Sequence, residues 1–148
     1  MKILFVCKGN MFRSQLAEYF FNKSAKKHRA ESAGINARYA GIRLSRLYHI
    51  ESGRAKDAEK FIAELDKEML EKVPKQLTPE MIDASDKVVV LLESEKEMPD
   101  YLKNSPKLIF WKMIDGIKED GSTRPYGELC RIREQIKEKV EKLVKSIS

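Results

Sequence analysis

The sequence predicts an α/β domain, a three-layer sandwich in which a central four-stranded parallel sheet carries helices on both faces. Two observations lead to this fold class. Strand-like stretches alternate along the chain with segments whose apolar residues recur at helical spacing. The clearest strand-like stretches are continuously apolar, which is typical of parallel strands buried on both faces. The chain has 148 residues and 42% hydrophobic side chains. We therefore expect residues 1–148 to form a single domain with one core.

The predicted elements follow from these patterns in chain order. The strands are Lys2–Val6, Arg29–Ala33, Lys87–Leu92 and Lys107–Trp111. Within the first strand, Ile3-Leu4-Phe5-Val6 has the β-branched and aromatic character of a buried strand. Helical spacing predicts helices at Arg13–Lys27, Ala55–Val73, Pro79–Ala84, Lys96–Lys103 and Tyr126–Ser146. The last helix buries a stripe of six apolar residues, Leu129, Ile132, Ile136, Val140, Leu143 and Val144.

Composition excludes several classes of protein. The chain has two cysteines, Cys7 and Cys130, so we expect no disulfide framework and a reducing, cytoplasmic location. No cysteine and histidine cluster has zinc spacing, and we predict no metal and no cofactor. No apolar stretch approaches the ~20 residues of a membrane span, and no signal-peptide pattern follows Met1. We expect no membrane association, and we expect a monomer.

The formal net charge of +6 has three interpretations. It would attract anionic substrates, it would suit nucleic acid, or it belongs to a solvated, lysine-rich surface. The basic residues form two clusters: Lys23, Lys26, Lys27 and Arg29, then Arg38, Arg43, Arg46, Arg54 and Lys56. No zinc-finger spacing or aromatic-rich RNA-binding signature accompanies them, and we predict no nucleic-acid partner. Charge alone does not decide between the other two.

The loop after the first strand carries the clearest chemical signal. Cys7 ends the strand, and five residues separate it from Arg13 at the start of a helix. A helix N-terminus and a guanidinium both stabilise a thiolate, which is the reactive form of cysteine. They also bind a tetrahedral oxyanion, because loop N–H groups converge on it and arginine matches two of its oxygens. We therefore predict a phosphate site built from Lys8, Gly9, Asn10, Met11, Phe12 and Arg13.

A buried cysteine at a strand end is more often an inert small hydrophobe. Here the strand, the turn residues Gly9 and Asn10, and the following helix make an anion site physically credible. The loop is not of the ATP-binding type, since no Gly-Lys-Ser/Thr closes it.

The segment Val-Cys-x-Gly-Asn-x-x-Arg-Ser, residues 6–14, resembles the low-molecular-weight protein tyrosine phosphatases and the related thioredoxin-coupled arsenate reductases. Further matches cover nearly the whole chain. They are Ser32-Ala33-Gly34, the stretch Gln76–Ile82 before the third strand, Trp111 with Asp115, and the terminal helix. The resemblance implies a phosphatase that acts on a phosphotyrosine-containing protein or a small aryl phosphate.

The resemblance also implies roles for individual residues. Cys7 would attack phosphorus and form a cysteinyl-phosphate, while Arg13 and the loop N–H groups hold the phosphate oxygens. Ser14 would hydrogen-bond the thiolate and improve it as a leaving group; alternatively it is an exposed serine of the first helical turn. Asn10 would lock the loop conformation, with Ser32 as its expected partner.

The general acid departs from the family pattern, in which an Asp precedes a Pro. Counting forward from Trp111 selects Asp115, and counting backward from the terminal helix selects Asp120. Both precede glycine, so we expect an acid loop more mobile than one stiffened by proline. We favour Asp115 because a strand anchors it, although either Asp also suits a turn.

Other departures bear on activity. Phe12 stands where many relatives have a second, protective cysteine, and Gln15 stands where proline is common. The interval between Gly34 and Gln76 is longer than in the family, and Tyr39 and Tyr48 are the candidates for the aromatic wall of the pocket. Residues 91–105 contain no relay cysteine, which weakens an arsenate reductase. A reductase using an external thiol and a non-catalytic phosphate-binding module remain the alternatives.

Overall fold

The sheet is parallel throughout. The computed structural model describes residues 1–51 and 56–147, and the side chains of 49–51, 56 and 57 are not considered. The strands are β1 (Lys2–Cys7), β2 (Arg29–Gly34), β3 (Lys87–Leu92) and β4 (Leu108–Lys112), in the order β2-β1-β3-β4. Each lies within one residue of its predicted bounds, and the four-stranded parallel sheet is confirmed. The order reverses at β1, so the loop after β1 opens where parallel sheets bind ligands.

Alternate residues of β1 face the two apolar layers. Ile3 and Phe5 pack with α1 (Arg13–Ser24) and α7 (Tyr126–Ile147). Leu4 and Val6 pack on the other face, against residues of α5 (Pro79–Asp83) and α6 (Asp100–Lys103). All four of these side chains are fully buried. The predicted helix-covered α/β sheet is therefore confirmed.

The long predicted helices at the two ends of the chain form, with small differences in length. The first ends at Ser24 and not at Lys27, because Ala25 is already extended at φ −91° and ψ 126°. The terminal helix covers Tyr126–Ile147 and buries Leu129, Ile132, Ile136, Val140 and Leu143, while Val144 is half-buried.

The prediction of one helix over Ala55–Val73 is wrong. The described part of this interval contains α3 (Lys56–Ala63) and α4 (Lys67–Leu70), and Ala55 lies outside the described residues, as does Arg54. Asp66 is extended at φ −65° and ψ 145°, and begins α4 as its N-cap residue. Helical apolar spacing continues across the break, but Asp favours a helix start over a helix interior.

Two further segments differ from prediction. A helix that was not predicted, α2 (Leu44–Glu51), buries Leu44, Leu47 and Tyr48 against the same face as α1. The predicted helix Lys96–Lys103 is divided into a 3₁₀ turn at Glu95–Glu97 and α6. Pro99 causes the division, because the residue before proline is kept extended, as Met98 is at ψ 133°.

Among the described residues, no helix is long and apolar enough to cross a membrane.

Candidate active site

The loop after β1 is packed tightly against the end of β2. Asn36 and Ile35 donate backbone hydrogen bonds of 2.8 and 2.9 Å to the carbonyls of Lys8 and Cys7. A Cβ atom on Gly34 would lie 2.8 Å from the carbonyl carbon of Gly9. Glycine is therefore required at this position, because any side chain would push the loop away from the sheet.

Asn10 holds the loop in its turn. Its backbone has a φ of +57°, a left-handed conformation that asparagine tolerates better than most residues. The side-chain amide donates to Ser14 Oγ at 2.7 Å, and the side-chain oxygen accepts from Lys75 N at 2.9 Å and Gln15 Nε2 at 3.2 Å. The expected pairing of Asn10 with Ser32 is wrong, since Ser32 donates to Glu18 at 2.9 Å. Glu18 is closer because both residues lie on the adjoining faces of α1 and β2.

The loop presents unused hydrogen-bond donors. Among the described residues, the backbone N–H groups of Gly9 to Arg13 donate to no protein acceptor. Arg13 is 3% exposed, and its Nη1 donates to Met113 O at 3.0 Å. Its buried Nε has no hydrogen-bond partner among the described residues. The first turn of α1 contains no acidic residue. This combination of N–H groups, guanidinium and helix N-terminus favours an anion.

Cys7 Sγ lies 2.9 Å from Ser14 Oγ, and both residues are buried. The sulfur of a Cys7 thiolate can only accept, so in that state the Ser14 hydroxyl donates to it while the Ser14 oxygen accepts the Asn10 amide proton. Ser14 is fully buried, so the alternative of an exposed first-turn serine does not apply.

Asp115 lies across the pocket from the loop. Its Oδ2 is 3.5 Å from Arg13 Nη2, and its side chain is 38% exposed. Asp120 lies in a separate exposed turn, where its Oδ1 accepts from Ser122 N at 2.9 Å and Ser122 Oγ at 2.5 Å. These hydrogen bonds hold the pKa of Asp120 below its usual value, which disfavours the protonated form that a general acid needs.

The loop that carries Asp115 is held by an ion pair instead of a proline. Arg124 Nε donates to Asp115 O at 2.5 Å, and Arg124 N donates to Gly116 O at 2.9 Å. Glu93 accepts from Asp115 N at 3.1 Å and lies 3.8 Å from Arg124. The sequence led us to expect an unusually mobile loop, because it lacks a proline. These contacts restrain the backbone of the loop on both sides of Asp115.

Phe12 and Gly116 fit together. A Cβ atom on Gly116 would lie 2.9 Å from Phe12 Cε2, so the ring fills the space beside the glycine. Phe12 also packs edge-on against Phe61 of α3, with ring centroids 5.8 Å apart. The position of the missing cysteine and the position of the missing proline are therefore in direct contact.

The pocket above Cys7 is largely apolar, with a cavity volume of about 140 Å³. Tyr48 lines it and donates to Met11 O, whereas Tyr39 is not among its lining residues. Burial raises the pKa of Tyr48, and the negative charge of a Cys7 thiolate raises it further. The apolar wall comes from α3, the loop after β4 and α7, through Ala58, Phe61, Ile62, Ile117 and Leu129.

The structure brings Cys7, Arg13, Ser14 and Asp115 together, and Asp120 lies apart from them. Phe61, Glu93 and Arg124 are neighbours of the site that the sequence did not predict. The sequence did single out Gln15, because it stands where proline is common in the family. In the structure its side-chain amide donates to Asn10 Oδ1 and to Val73 O.

The model of the family described as low molecular weight phosphotyrosine protein phosphatase matches residues 2–148. The chain belongs to this family. The resemblance seen in the sequence is therefore confirmed.

Relatives of the chain within and around this family differ in their described activities. A protein-arginine-phosphatase of Bacillus subtilis is 26% identical over 156 residues, covering 100% of this chain and 95% of the relative. A solved structure described as an arsenate reductase from Archaeoglobus fulgidus is 26% identical, with a TM-score of 0.63 and coverage of 97% and 98%. A low molecular weight protein tyrosine phosphatase from T. tengcongensis is 23% identical, with a TM-score of 0.66 and 99% coverage of both chains, and supports the fold.

Proposed function

We propose that this chain hydrolyses aryl phosphate monoesters, phosphotyrosine in proteins above all, through a cysteinyl-phosphate intermediate. One observation carries the proposal. Cys7 Sγ lies 2.9 Å from Ser14 Oγ beneath a loop of unused N–H donors, and Asp115 faces it across an apolar pocket. This arrangement supplies a nucleophile, an oxyanion cradle and a proton donor within one cavity.

In the first step, the Cys7 thiolate attacks phosphorus in line with the ester oxygen. The S–P bond forms as the P–O bond breaks, and the leaving phenoxide takes the proton of the Asp115 carboxyl group. The Arg13 guanidinium and the loop N–H groups bind the three equatorial oxygens as their charge redistributes. The unpartnered Arg13 Nε supports this role, since a buried donor gains most from such an acceptor.

In the second step, water attacks the phosphorus of the intermediate. Asp115, now a carboxylate, accepts a proton from the water, the S–P bond breaks, and inorganic phosphate forms. The Ser14 hydroxyl stabilises the departing thiolate by the hydrogen bond that its geometry allows. The side chain of Asn10 keeps that hydroxyl oriented throughout.

The size and chemistry of the pocket favour an aromatic ring as leaving group. Its volume of about 140 Å³ is close to that of an apolar cavity of about 150 Å³ that accepts benzene. A guanidinium leaving group, as in phosphoarginine, would require a carboxylate partner. Asp115 is the one acidic residue among the described lining residues, and the proposed mechanism already uses it as the proton donor.

Phosphoarginine is nevertheless the second candidate substrate, because the curated relative of 26% identity is a protein-arginine-phosphatase. The arsenate-reductase alternative is supported less by the site. Cys7 is the one cysteine among the described lining residues, and Cys130 lies on α7 as a free thiol.

The proposal is tested by comparing wild-type protein with Cys7→Ser and with Cys130→Ser as the matched control. We expect wild type and Cys130→Ser to hydrolyse p-nitrophenyl phosphate, and a rapid acid quench to trap phosphate on Cys7. Cys7→Ser should lose turnover and still bind inorganic phosphate. Hydrolysis by Cys7→Ser would contradict the covalent mechanism.

The same preparation decides between substrates. We expect kcat/KM for a phosphotyrosyl peptide to exceed that for the same peptide with phosphoarginine by at least about tenfold, which corresponds to 1.4 kcal/mol. The reverse order would assign the arginine substrate. Arsenite production with an external thiol, without phosphatase activity, would assign the reductase.

A further inference from the structure

A surface region next to the phosphate loop is basic, and its two segments contain no acidic residue. We define the basic lip as Lys8 with residues 34–48 and 72–79. The two segments contain three arginines and two lysines, namely Arg38, Arg43, Arg46, Lys72 and Lys75, and no Asp or Glu. The sequence did not show that these charges form one surface, because the two segments lie far apart along the chain.

Backbone hydrogen bonds place the two segments side by side next to the phosphate loop. Asn36 donates to Lys8 O at 2.8 Å, and Lys75 N donates to Asn10 Oδ1 at 2.9 Å. Gly34 donates to Lys75 O at 2.8 Å, which joins the segments to each other. The basic lip therefore borders the loop that would hold the phosphate.

Several cations of the basic lip form no ion pair with the described residues. Lys72 pairs with Glu18, and Arg43 lies 3.6 Å from Glu71. Among the described residues, the side chains of Lys8, Arg38 and Arg46 make no ion pair, and all three are exposed. Arg38 lies over the ring of Tyr39, 5.7 Å from its centroid, a contact that keeps its charge.

The opposite lip, residues 116–124, is balanced. It has two basic residues, Lys118 and Arg124, and two acidic ones, Glu119 and Asp120. Asp115 faces Arg13, and Glu93 faces Arg124. One flank of the phosphate loop is therefore positive and the segment after β4 is neutral, and such an asymmetry orients a charged partner.

We infer that the basic lip selects protein substrates in which acidic residues flank the phosphorylated residue on one side. This inference rests on the proposed function. If the positive charge served only to keep the surface solvated, it could be spread evenly. Instead, unpaired cations lie beside the phosphate loop, and the segment opposite has balanced charge. Nucleic acid is disfavoured because the patch ends at a narrow cavity of about 140 Å³, which suits a single side chain and not a duplex.

The test uses phosphotyrosyl peptides of one length whose flanks are Glu, Gln or Lys, placed before or after the phosphotyrosine. At about 0.05 M salt we expect the Glu peptide with the favoured orientation to exceed the Gln peptide in kcat/KM by about tenfold. The Lys peptide should be slower than the Gln peptide. The preference should shrink at about 0.5 M salt, where exposed charges are screened.

Variants then assign the preference to the lip. Arg38→Gln with Arg46→Gln should abolish the Glu preference, and Arg38→Glu with Arg46→Glu should transfer it to the Lys peptide. All should hydrolyse p-nitrophenyl phosphate as wild type does. Lys26→Gln with Lys27→Gln is the matched control, because these exposed lysines precede β2 and lie at the amino ends of the strands, away from the loop after β1.

Equal kcat/KM for the three flanks, with p-nitrophenyl phosphate still hydrolysed, would overturn this inference and leave the proposed function standing. No hydrolysis of any aryl phosphate would overturn the proposed function instead. Salt-dependent binding of a short DNA duplex that is lost in Arg38→Gln with Arg46→Gln, without a flank preference, would reassign the lip to nucleic acid.

Discussion

Ser14 receives one hydrogen bond and can give one, and this pairing determines its chemistry. The Asn10 amide occupies an acceptor position on Ser14 Oγ, so the hydroxyl proton is available to Cys7 Sγ. A hydrogen bond from Ser14 stabilises the negatively charged Cys7 thiolate more than it stabilises the uncharged sulfur of the cysteinyl-phosphate. Its benefit therefore falls mainly on the step in which the thiolate leaves.

We predict that Ser14→Ala lowers kcat on p-nitrophenyl phosphate by about 100-fold, as loss of one transition-state donor does. Because the second step slows more than the first, a burst of p-nitrophenol should precede the steady state in stopped-flow traces. Ser32→Ala is the control, since Ser32 is equally buried but donates to Glu18. A uniform slowing of both steps would contradict the assigned role.

The two candidate acids differ in what surrounds them. Asp115 is near Arg13 and lines the pocket, whereas Asp120 accepts two hydrogen bonds from Ser122 in an exposed turn. A proton donor matters most when the leaving group is a poor one. Loss of a proton donor should therefore slow substrates with poor leaving groups more than substrates with good ones, whereas general loss of structure should slow both equally.

We predict that Asp115→Asn lowers kcat/KM for phenyl phosphate by at least about 100-fold, and for p-nitrophenyl phosphate by much less. The nitrophenoxide leaves without a proton, so it needs the acid less. Asp120→Asn should change neither. Equal losses on both substrates in Asp115→Asn would remove it as the acid and leave a positioning role.

Some contacts of single residues could be predicted from the sequence and others could not. The spacing of Cys7, Arg13 and Ser14 predicted their juxtaposition, because one strand, one turn and one helix determine it. The contact of Asn10 with Lys75 was not predicted, because Lys75 approaches it from 65 residues away. Such contacts depend on how elements pack, and no local pattern encodes them.

At the scale of elements, the loop after β1 and the loop after β4 are fitted to each other. Phe12 occupies the space beside Gly116, and Arg124 with Glu93 holds the backbone of Asp115. The chain thus has a larger residue in one loop and a smaller one in the other. Neither substitution is explained when it is considered alone.

We predict that Gly116→Ala lowers the free energy of unfolding by about 1–3 kcal/mol, because its Cβ would overlap the Phe12 ring. In the Phe12→Ala background the same change should cost less than about 0.5 kcal/mol. Urea unfolding of the four proteins gives this double-mutant cycle. Gly127→Ala is the control and should cause no loss of stability, since among the described residues nothing lies within 4 Å of its Cβ position and alanine suits a helix. Additive effects would contradict the fit.

Element prediction succeeded where one signal dominated and failed where two competed. The four strands and α7 have long apolar patterns and were found within a few residues. The predicted helix Ala55–Val73 had continuous helical spacing, yet Asp66 begins a new helix within it. The spacing of apolar residues shows which side of a helix faces the core, but it does not show whether one helix ends and another begins within the pattern.

For the whole molecule, the fold concentrates positive charge at one edge of the sheet. The net charge of +6 was known from the sequence, but its placement was not. Parallel strands bring the ends of β1 and β2 together, and the returning segment 72–79 lies against both. Anion binding at the loop should therefore stabilise contacts between three parts of the chain.

We predict that inorganic phosphate at about 100 times its Kd adds about 2.7 kcal/mol to the free energy of unfolding. For a domain of this size, Tm should rise by roughly 5–10 °C. Arg13→Lys should lose most of the shift, because lysine lacks the planar fork that meets two oxygens, while the exposed Arg131→Lys should keep it.

Calorimetry with phosphate, and with sodium chloride at matched ionic strength, separates the site from general screening. An equal shift in chloride, or an undiminished shift in Arg13→Lys, would mean that the anion acts on the net charge and not at the loop. A shift that Cys7→Ser retains and Arg13→Lys loses would locate the anion in the cradle, because serine there removes the nucleophile and leaves the N–H donors in place.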